Sequence, residues 1–347
     1  MKLHRRLAAW ALATSLVAVL AACGGSDDSG SDAGGVDTIR LGMVPGGNFN
    51  SLAPLVALEQ GFFEDQGLEV EIVDLAGGPQ MVSAIASGSI DVMLNSPGNG
   101  MLANAAGQHL VGIVAGFQAP AYTWIAQEDW DTPNEGKGFP AVAKDFKGAV
   151  VGVPVLASEI ENMTRAFAAE AGLDPDQDLQ YVAIGTGAQA IGAFEAGQVD
   201  IYVATEPGPT TLLDGTHDAK AMLDLRNPDE VPGILGGWTS IVYQADRKNA
   251  EENPEKFEKF AAAIAAANDF MQEDKDGTVA AYGQSLDMDE AVRAAIYDAN
   301  HHSISSVVDC GGFDSISTFL VNAGLLTEDQ TQDCESFMWS GSGDYQE

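Results

Sequence analysis

Basic side chains are scarce in this chain: 16 Lys and Arg stand against 51 Asp and Glu, a formal charge of −35. A surface of that sign repels DNA, RNA and anionic lipid, which excludes nucleic-acid binding. Histidines are equally few, and beyond the first residues only His109, His217 and the pair His301-His302 occur. Neighbouring residues do not face one way on a helix, so that pair suits a helix end better than a metal. No Ser/His/Asp or Cys/His arrangement stands out. No Gly-x-x-x-x-Gly-Lys-Ser/Thr loop is present, so the chain has no ATP site of that kind. No catalytic residue, cofactor or metal is assigned.

Long apolar runs are also lacking, apart from Leu7–Leu20, which is interrupted by Thr14 and Ser15 and is short for a stable membrane span. Lys2, Arg5 and Arg6 precede it, the layout of a secretory signal over residues 1–22. The site Leu20-Ala21-Ala22-Cys23 resembles the lipobox of bacterial lipoproteins. That resemblance implies cleavage before Cys23 and lipidation of its sulfur; the alternatives are an ordinary signal peptide or a single anchor. Removing the three basic residues deepens the charge to −38. Gly24–Gly35 contains only Gly, Ser, Asp and Ala and cannot bury apolar surface, so residues 23–37 read as a flexible tether. Two cysteines then remain in an exported chain. Cys310 and Cys334 are expected to pair as a disulfide, since neither has a histidine close by to make a zinc site.

What is present is a phrase written twice. MVSAIASGSIDVMLNSP at 81–97 returns in outline as AIGAFEAGQVDIYVATEP at 190–207, matching Gln80 with Gln189, Gly88 with Gly197 and Asp91 with Asp200. Each copy closes a longer unit. In the first, a strand at 39–44, a helix at 52–60, a strand at 68–75, a helix from about 80 and a strand at 90–94 are expected. In the second, a strand at 149–155 precedes the capping box Ser158-x-x-Glu161 and a helix to about 171. Strands at 179–184 and 199–203 follow, with the repeated helix between them. Parallel strands linked by helices on both faces are the expected packing, with ligands at the carboxyl ends of the strands. Further strands are expected at 220–225 and 239–244. Asn253 and Pro254 open a long helix, and helices near 290–300 and 315–323 complete a C-terminal cover.

The opening IRLGMVPGGNFNSLAPLVALEQGFFEDQGLEVEIVDL resembles solute-binding proteins of ABC importers in the nitrate/sulfonate/taurine and thiamine-pyrimidine group. The matching phrases are E-x-G-F-F-x-x-x-G-L-x-V from Glu59 to Val70, A-x-x-S-G-S-I-D-V from Ala84, V-G-V-P at Val151–Pro154, and Glu206-Pro207. The resemblance spans about residues 38–240. It implies a type II periplasmic-binding fold, two α/β lobes with a hinge and a central ligand cleft. The first lobe is expected over 38–120 and the second over 121–212, with 213–347 returning to the first and adding the helical cover.

Candidate solute contacts lie in the loops after strands, where helix N-termini present free N–H groups. They are Asn48, Phe49, Asn50, Gln80, Asn95 and Ser96 in the first lobe and Ser158, Glu159 and Thr186 in the second. A turn or capping role is the alternative for the polar ones. Trp238 is a candidate from the returning segment or else a core residue, and Trp124 carries the same ambiguity. Glu206 stands where taurine-type relatives hold an acidic residue before proline. The resemblance therefore implies that it receives an amine or hydroxyl, the alternative being a surface carboxylate. None of these loops contains Arg or Lys. That shifts the expected solute from inorganic anions toward a neutral or amine-bearing organic molecule.

The expected protein is a non-enzymatic, lipid-anchored monomer on the extracytoplasmic face of the membrane. It captures a small solute by hinge closure and delivers it to a permease with cytoplasmic ATPase subunits. A sensor domain of the same fold is one alternative. A pyrimidine-synthase-like enzyme is another, although the cysteine-rich motif of the fungal enzyme is missing.

Overall fold

The computed structural model describes residues 36–44, 48–235, 238–285 and 288–345. The expected leader, Cys23 and most of the tether lie outside them, as do Pro45–Gly47 and Gly236-Gly237 of the loops.

Among the described residues ten strands form two five-stranded sheets. In chain order they are β1 (Asp37–Met43), β2 (Leu68–Asp74), β3 (Val92–Asn95), β4 (Leu110–Phe117), β5 (Thr123–Gln127), β6 (Val150–Val153), β7 (Gln180–Ala183), β8 (Ile201–Ala204), β9 (Ala219–Asp224) and β10 (Ile241–Asp246). The first sheet runs β2-β1-β3-β10-β4 and the second β7-β6-β8-β5-β9. The helices are α1 (Leu52–Glu59), α2 (Phe62–Asp65), α3 (Gly78–Ala86), α4 (Pro97–Ala105), α5 (Glu159–Glu170), α6 (Gly187–Glu195), α7 (Gly208–Leu212), α8 (Arg247–Glu252), α9 (Pro254–Glu273), α10 (Lys275–Ser285), α11 (Glu290–Asn300), α12 (Cys310–Asn322) and α13 (Cys334–Phe337).

The repeated phrase builds the same corner in both sheets. Arg40 N–H donates to Asp91 Oδ2 at 2.9 Å, and Asp91 N–H returns a bond to the Arg40 carbonyl at 2.8 Å. In the second sheet Val150 N–H donates to Asp200 Oδ2 at 2.8 Å, and Asp200 N–H returns one to the Val150 carbonyl at 2.9 Å. Each aspartate thus locks the entry of the third strand to the first. Gly88 and Gly197 turn the chain out of the preceding helices at φ +69° and +67°, where a Cβ is strained.

Three adjacent strands of each sheet pair in parallel, as the β-α-β pattern requires. One strand opposes the other four: β10 lies antiparallel between β3 and β4, and β5 lies antiparallel between β8 and β9. The expected boundary at residue 212 is therefore corrected. The strand 219–224 pairs with β5 and belongs to the second sheet, so the second lobe extends to Asp224. The chain crosses between lobes at 118–122 and again at 225–240.

Apolar faces explain the layers. The first sheet buries Leu41, Ile113 and Tyr243 against α1, α9, α10 and α11, through residues such as Val56, Phe260, Ile264 and Tyr282. Its other face meets Met81 and Ile85 of α3 and Ala103 of α4. The second sheet carries α5 on one face through Met163 and Phe167, and α6 and α7 on the other through Phe194 and Leu212. Asn253 precedes the long helix α9 as expected, but its amide bonds back to Asn249 and not to the helix it precedes. Helix α12 starts five residues earlier than expected because Asp309 caps it, accepting from Gly312 N–H at 3.2 Å. It packs Phe313, Ile316 and Phe319 into a core shared with Met101 of α4 and Phe167 of α5, so it touches both lobes. Cys310 and Cys334 are joined by a disulfide that fastens this helix to the last segment. Among the described residues no helix is long and apolar enough to cross a membrane.

Candidate functional site: a polar cavity between the lobes

The carboxyl ends of β3 and β6 face each other across the space between the sheets, and each is followed by a capped helix, after a loop of four residues in the case of β6. Ser96 accepts from Asn99 N–H at 3.2 Å to start α4, and Ser158 accepts from Glu161 N–H at 3.4 Å to start α5. Between them lies a cavity of about 100 Å³. The first lobe lines it with Asn48, Asn50, Ser51, Gly77, Gly78, Asn95, Ser96 and Asn99. The second supplies Pro154, Val155, Ser158, Glu159, Thr186 and Thr205, and the crossing segments add Tyr122 and the start of β10. The lobes touch at the rim: a Cβ on Gly77 would come within 2.7 Å of Val155 Cγ1, so any larger residue there would hold the lobes apart.

The first-lobe side is a connected amide network. Asn95 Oδ1 accepts from Ser96 N–H and from Asn99 Nδ2, both at 2.9 Å. Gln244 of β10 donates to the carbonyls of Asn95 and Ser96 at 3.1 and 2.8 Å, which fixes the loop to the strand beside it. Asn50 is buried in the same wall, its N–H bonded to Asn48 Oδ1 while its own Oδ1 has no partner.

Glu159 dominates the electrostatics. It is the first residue of α5, 8% exposed, and its Oε2 accepts from the Tyr122 hydroxyl at 3.1 Å. Its Oε1 has no hydrogen-bond partner and lies beside Gly98 in the first turn of α4. Burial drives the carboxyl up to about 7, against Tyr122 and Ser96, which favour the charged form. Burial and the Glu159 charge together raise the Tyr122 phenol well above its ordinary value. Among the described residues no Arg, Lys or His lines the cavity. The formal charge they bring to it is a carboxylate, already set against the positive end of a helix.

Of the expected solute contacts, Asn48, Asn50, Asn95, Ser96, Ser158, Glu159 and Thr186 line this cavity. Phe49, Gln80, Glu206 and Trp238 do not, nor does Trp124. Phe49 turns into the core and meets Phe117 and Tyr282 edge-on at 5.4 and 6.4 Å. Gln80 bends back to accept from Ala76 N–H at 2.6 Å. Trp238 is buried edge-on against Phe319, behind the cavity wall. Trp124 is likewise internal, its indole donating to Thr164 at 3.1 Å.

Glu206 is neither a cavity residue nor a surface carboxylate. Its side chain is 1% exposed and is held by Arg226, whose Nη1 reaches Oε1 at 2.6 Å. Thr210 and Asn300 donate to it as well. Arg226 comes from the second crossing segment, 20 residues away and outside every loop considered from sequence, which is why the pair was missed. Tyr122 was missed too; its signal was its place in the first crossing, since a two-lobed cleft must be floored by its hinges.

The family described as NMT1/THI5 like matches residues 48–277 of the chain. A formylaminopyrimidine-binding protein of Halalkalibacterium halodurans is 23% identical over 297 residues, spanning 85% of this chain and 84% of that one. A Brucella abortus protein described as a binding protein is 27% identical over 240 residues, 68% of each chain. Among solved structures, the alkanesulfonate-binding protein SsuA from Xanthomonas axonopodis pv. citri, bound to MOPS, superposes with a TM-score of 0.69. It shares 19% identity and covers 88% of this chain and 99% of its own, a likeness of fold. Two α/β lobes, two crossings and the matched span lead to one statement: the chain belongs to the NMT1/THI5-like family and has the periplasmic-binding fold.

Proposed function

We propose that this chain is the solute-binding component of an ABC importer, working outside the cytoplasm and tethered to the membrane through a lipid on Cys23. It is a monomer that closes its two lobes on a small organic solute and presents the closed form to a permease driven by cytoplasmic ATPase subunits. The solute classes that fit are amine-bearing sulfonates of the taurine kind, pyrimidines and related amines. The observation that carries the reading is the cavity itself. Strand-end loops from both sheets meet there, and two buried side chains, Asn50 and Glu159, each leave an oxygen without a partner. A buried polar atom costs free energy unless something bonds to it, and a bound solute does so.

Ligand linkage supplies the test. A solute at 100 times its dissociation constant adds about 2.7 kcal/mol to unfolding. Thermal denaturation against sulfonates, amines, pyrimidines and a metabolite extract should raise the midpoint for at least one class. A panel that never shifts it would overturn the reading.

A further inference from the structure

The cavity is acidic and acceptor-rich, and that restricts what can fill it. Of the side chains that line it, Asn50 and Glu159 each carry a buried acceptor without a partner, one from each lobe; Glu159 Oε1 sits toward Gly98 and Leu320, where the indole Nε1 of Trp238 is a buried donor likewise without one. Glu159 is 8% exposed and Asn50 4%, so neither can turn to bulk water. The hydroxyls of Ser96 and Ser158 accept from the backbone of their own helices, and Ser96 also bonds to the Glu159 carboxylate. An anion entering this space would meet a carboxylate and, among the described residues, no Arg, Lys or His. It would also find the first turn of α4 already facing Glu159 Oε1 across Gly98.

Resting on the solute-binding reading, we propose that the solute carries a cationic nitrogen, an ammonium or amidinium group, that pairs with Glu159 and donates to Asn50 Oδ1. Glu206, for which the resemblance implied an amine-receiving role, is already neutralised by Arg226, so the pairing is assigned to Glu159.

Binding of such a cation moves a proton. From the elements packed against Glu159 (the first crossing, α4, the second crossing and α12), the titratable group facing it among the described residues is Tyr122 alone. Glu161, two residues along α5, is engaged by Arg165 at 2.7 Å. The free carboxyl, held near 7 by burial, is mostly protonated at pH 6 and mostly ionised at pH 8. A cation pairs with the carboxylate only, so the proton leaves to solvent as the cation enters. Nearly one proton is released per cation bound at pH 6 and nearly none at pH 8. The apparent affinity follows the ionised fraction and rises about tenfold between those values.

The experiment uses matched probes of one shape and three charges: benzamidinium, benzamide and benzoate, with propylammonium, propanol and propanesulfonate as a second set. Each is titrated calorimetrically at pH 6 and pH 8 in two buffers of different ionisation enthalpy. The expected result is preference for the cation in each set, proton release at pH 6, and tighter binding at pH 8. Glu159→Gln should lose at least about tenfold in cation affinity together with the pH dependence. Preference for the neutral or anionic member, or binding without proton release, overturns the proposal while leaving a solute-binding protein. Absence of binding by all six and by a metabolite extract removes the solute-binding reading as well. The proton count is made on the unaltered protein, so it stands even where the Gln variant fails to fold.

Discussion

Asn300 of α11 donates through Nδ2 to Glu206 Oε1 at 3.1 Å, and the two residues belong to different lobes. Asn300 stands in the helical cover of the first sheet, and Glu206 follows β8 of the second. The contact is a clasp made when the lobes are close. Replacing Asn300 by Ala should weaken closure and lower solute affinity by about 1 kcal/mol, a factor of roughly five. Calorimetry on the variant, with small-angle scattering to follow the radius of gyration, checks it; unchanged affinity and unchanged dimensions would remove the clasp.

The Glu206–Arg226 pair is a stability element. Burial opposes the charge on Arg226, yet bonds to Asp224 and Glu206 hold it more firmly protonated than usual. Arg226→Ala strands a carboxylate that is 1% exposed and should cost about 3–5 kcal/mol. The double change Arg226→Met with Glu206→Gln should recover part of that loss, because the Glu206 charge is gone while Asp224, also paired with Arg226, loses its cation and keeps its bond from Thr123. Urea denaturation of the two variants separates the cases.

Glu159 makes the stability of the solute-free protein fall as pH rises. Its carboxyl titrates near 7 in the folded chain against an ordinary 4.5, so the folded state keeps a proton that the unfolded state releases. The contribution is whole below about 4.5 and is lost on passing through about 7. It amounts to roughly 3 kcal/mol at 1.36 kcal/mol per unit. Carboxylates pulled below their ordinary value, such as Asp91 and Asp224, act in the opposite sense and only in more acid solution. Denaturant titrations at intervals from pH 4.5 to 8 should show the decline, and Glu159→Gln should flatten it.

The bridge between Cys310 and Cys334 spans 24 residues of chain. Replacing both by Ser should lower stability by about 3 kcal/mol through the freed loop. Since α12 packs Phe319 on Trp238 in the second crossing, the loss should appear in indole fluorescence as well as in the melting midpoint.

The three-strand units were legible because each is local. An apolar run, a glycine stop and an aspartate lie within one span of chain, and Asp91 and Asp200 carry the same duty at the same place. Membership of a sheet is not local. Nothing in the run Ala219–Asp224 says that its partner is β5, nearly a hundred residues earlier, so the second lobe was drawn too short. The cavity side chains were found where strand-end reasoning could reach them, at Asn50, Ser96 and Glu159. The misplacements have one cause: Phe49 and Trp238 had apolar partners, and Glu206 an arginine, supplied by segments remote in sequence.

The exchange of strands also sets an order of assembly. All five strands of the second sheet lie between residues 123 and 224, so that lobe can form as soon as its own stretch of chain is free. The first sheet stays divided until residue 246, because β10 is the wedge that joins β3 to β4. For a chain released N-terminus first, the lobe begun first is finished last. Its open strand edges at β3 and β4 wait through the making of the other lobe. That interval is when this protein is most exposed to aggregation and to any factor that holds unfinished chains.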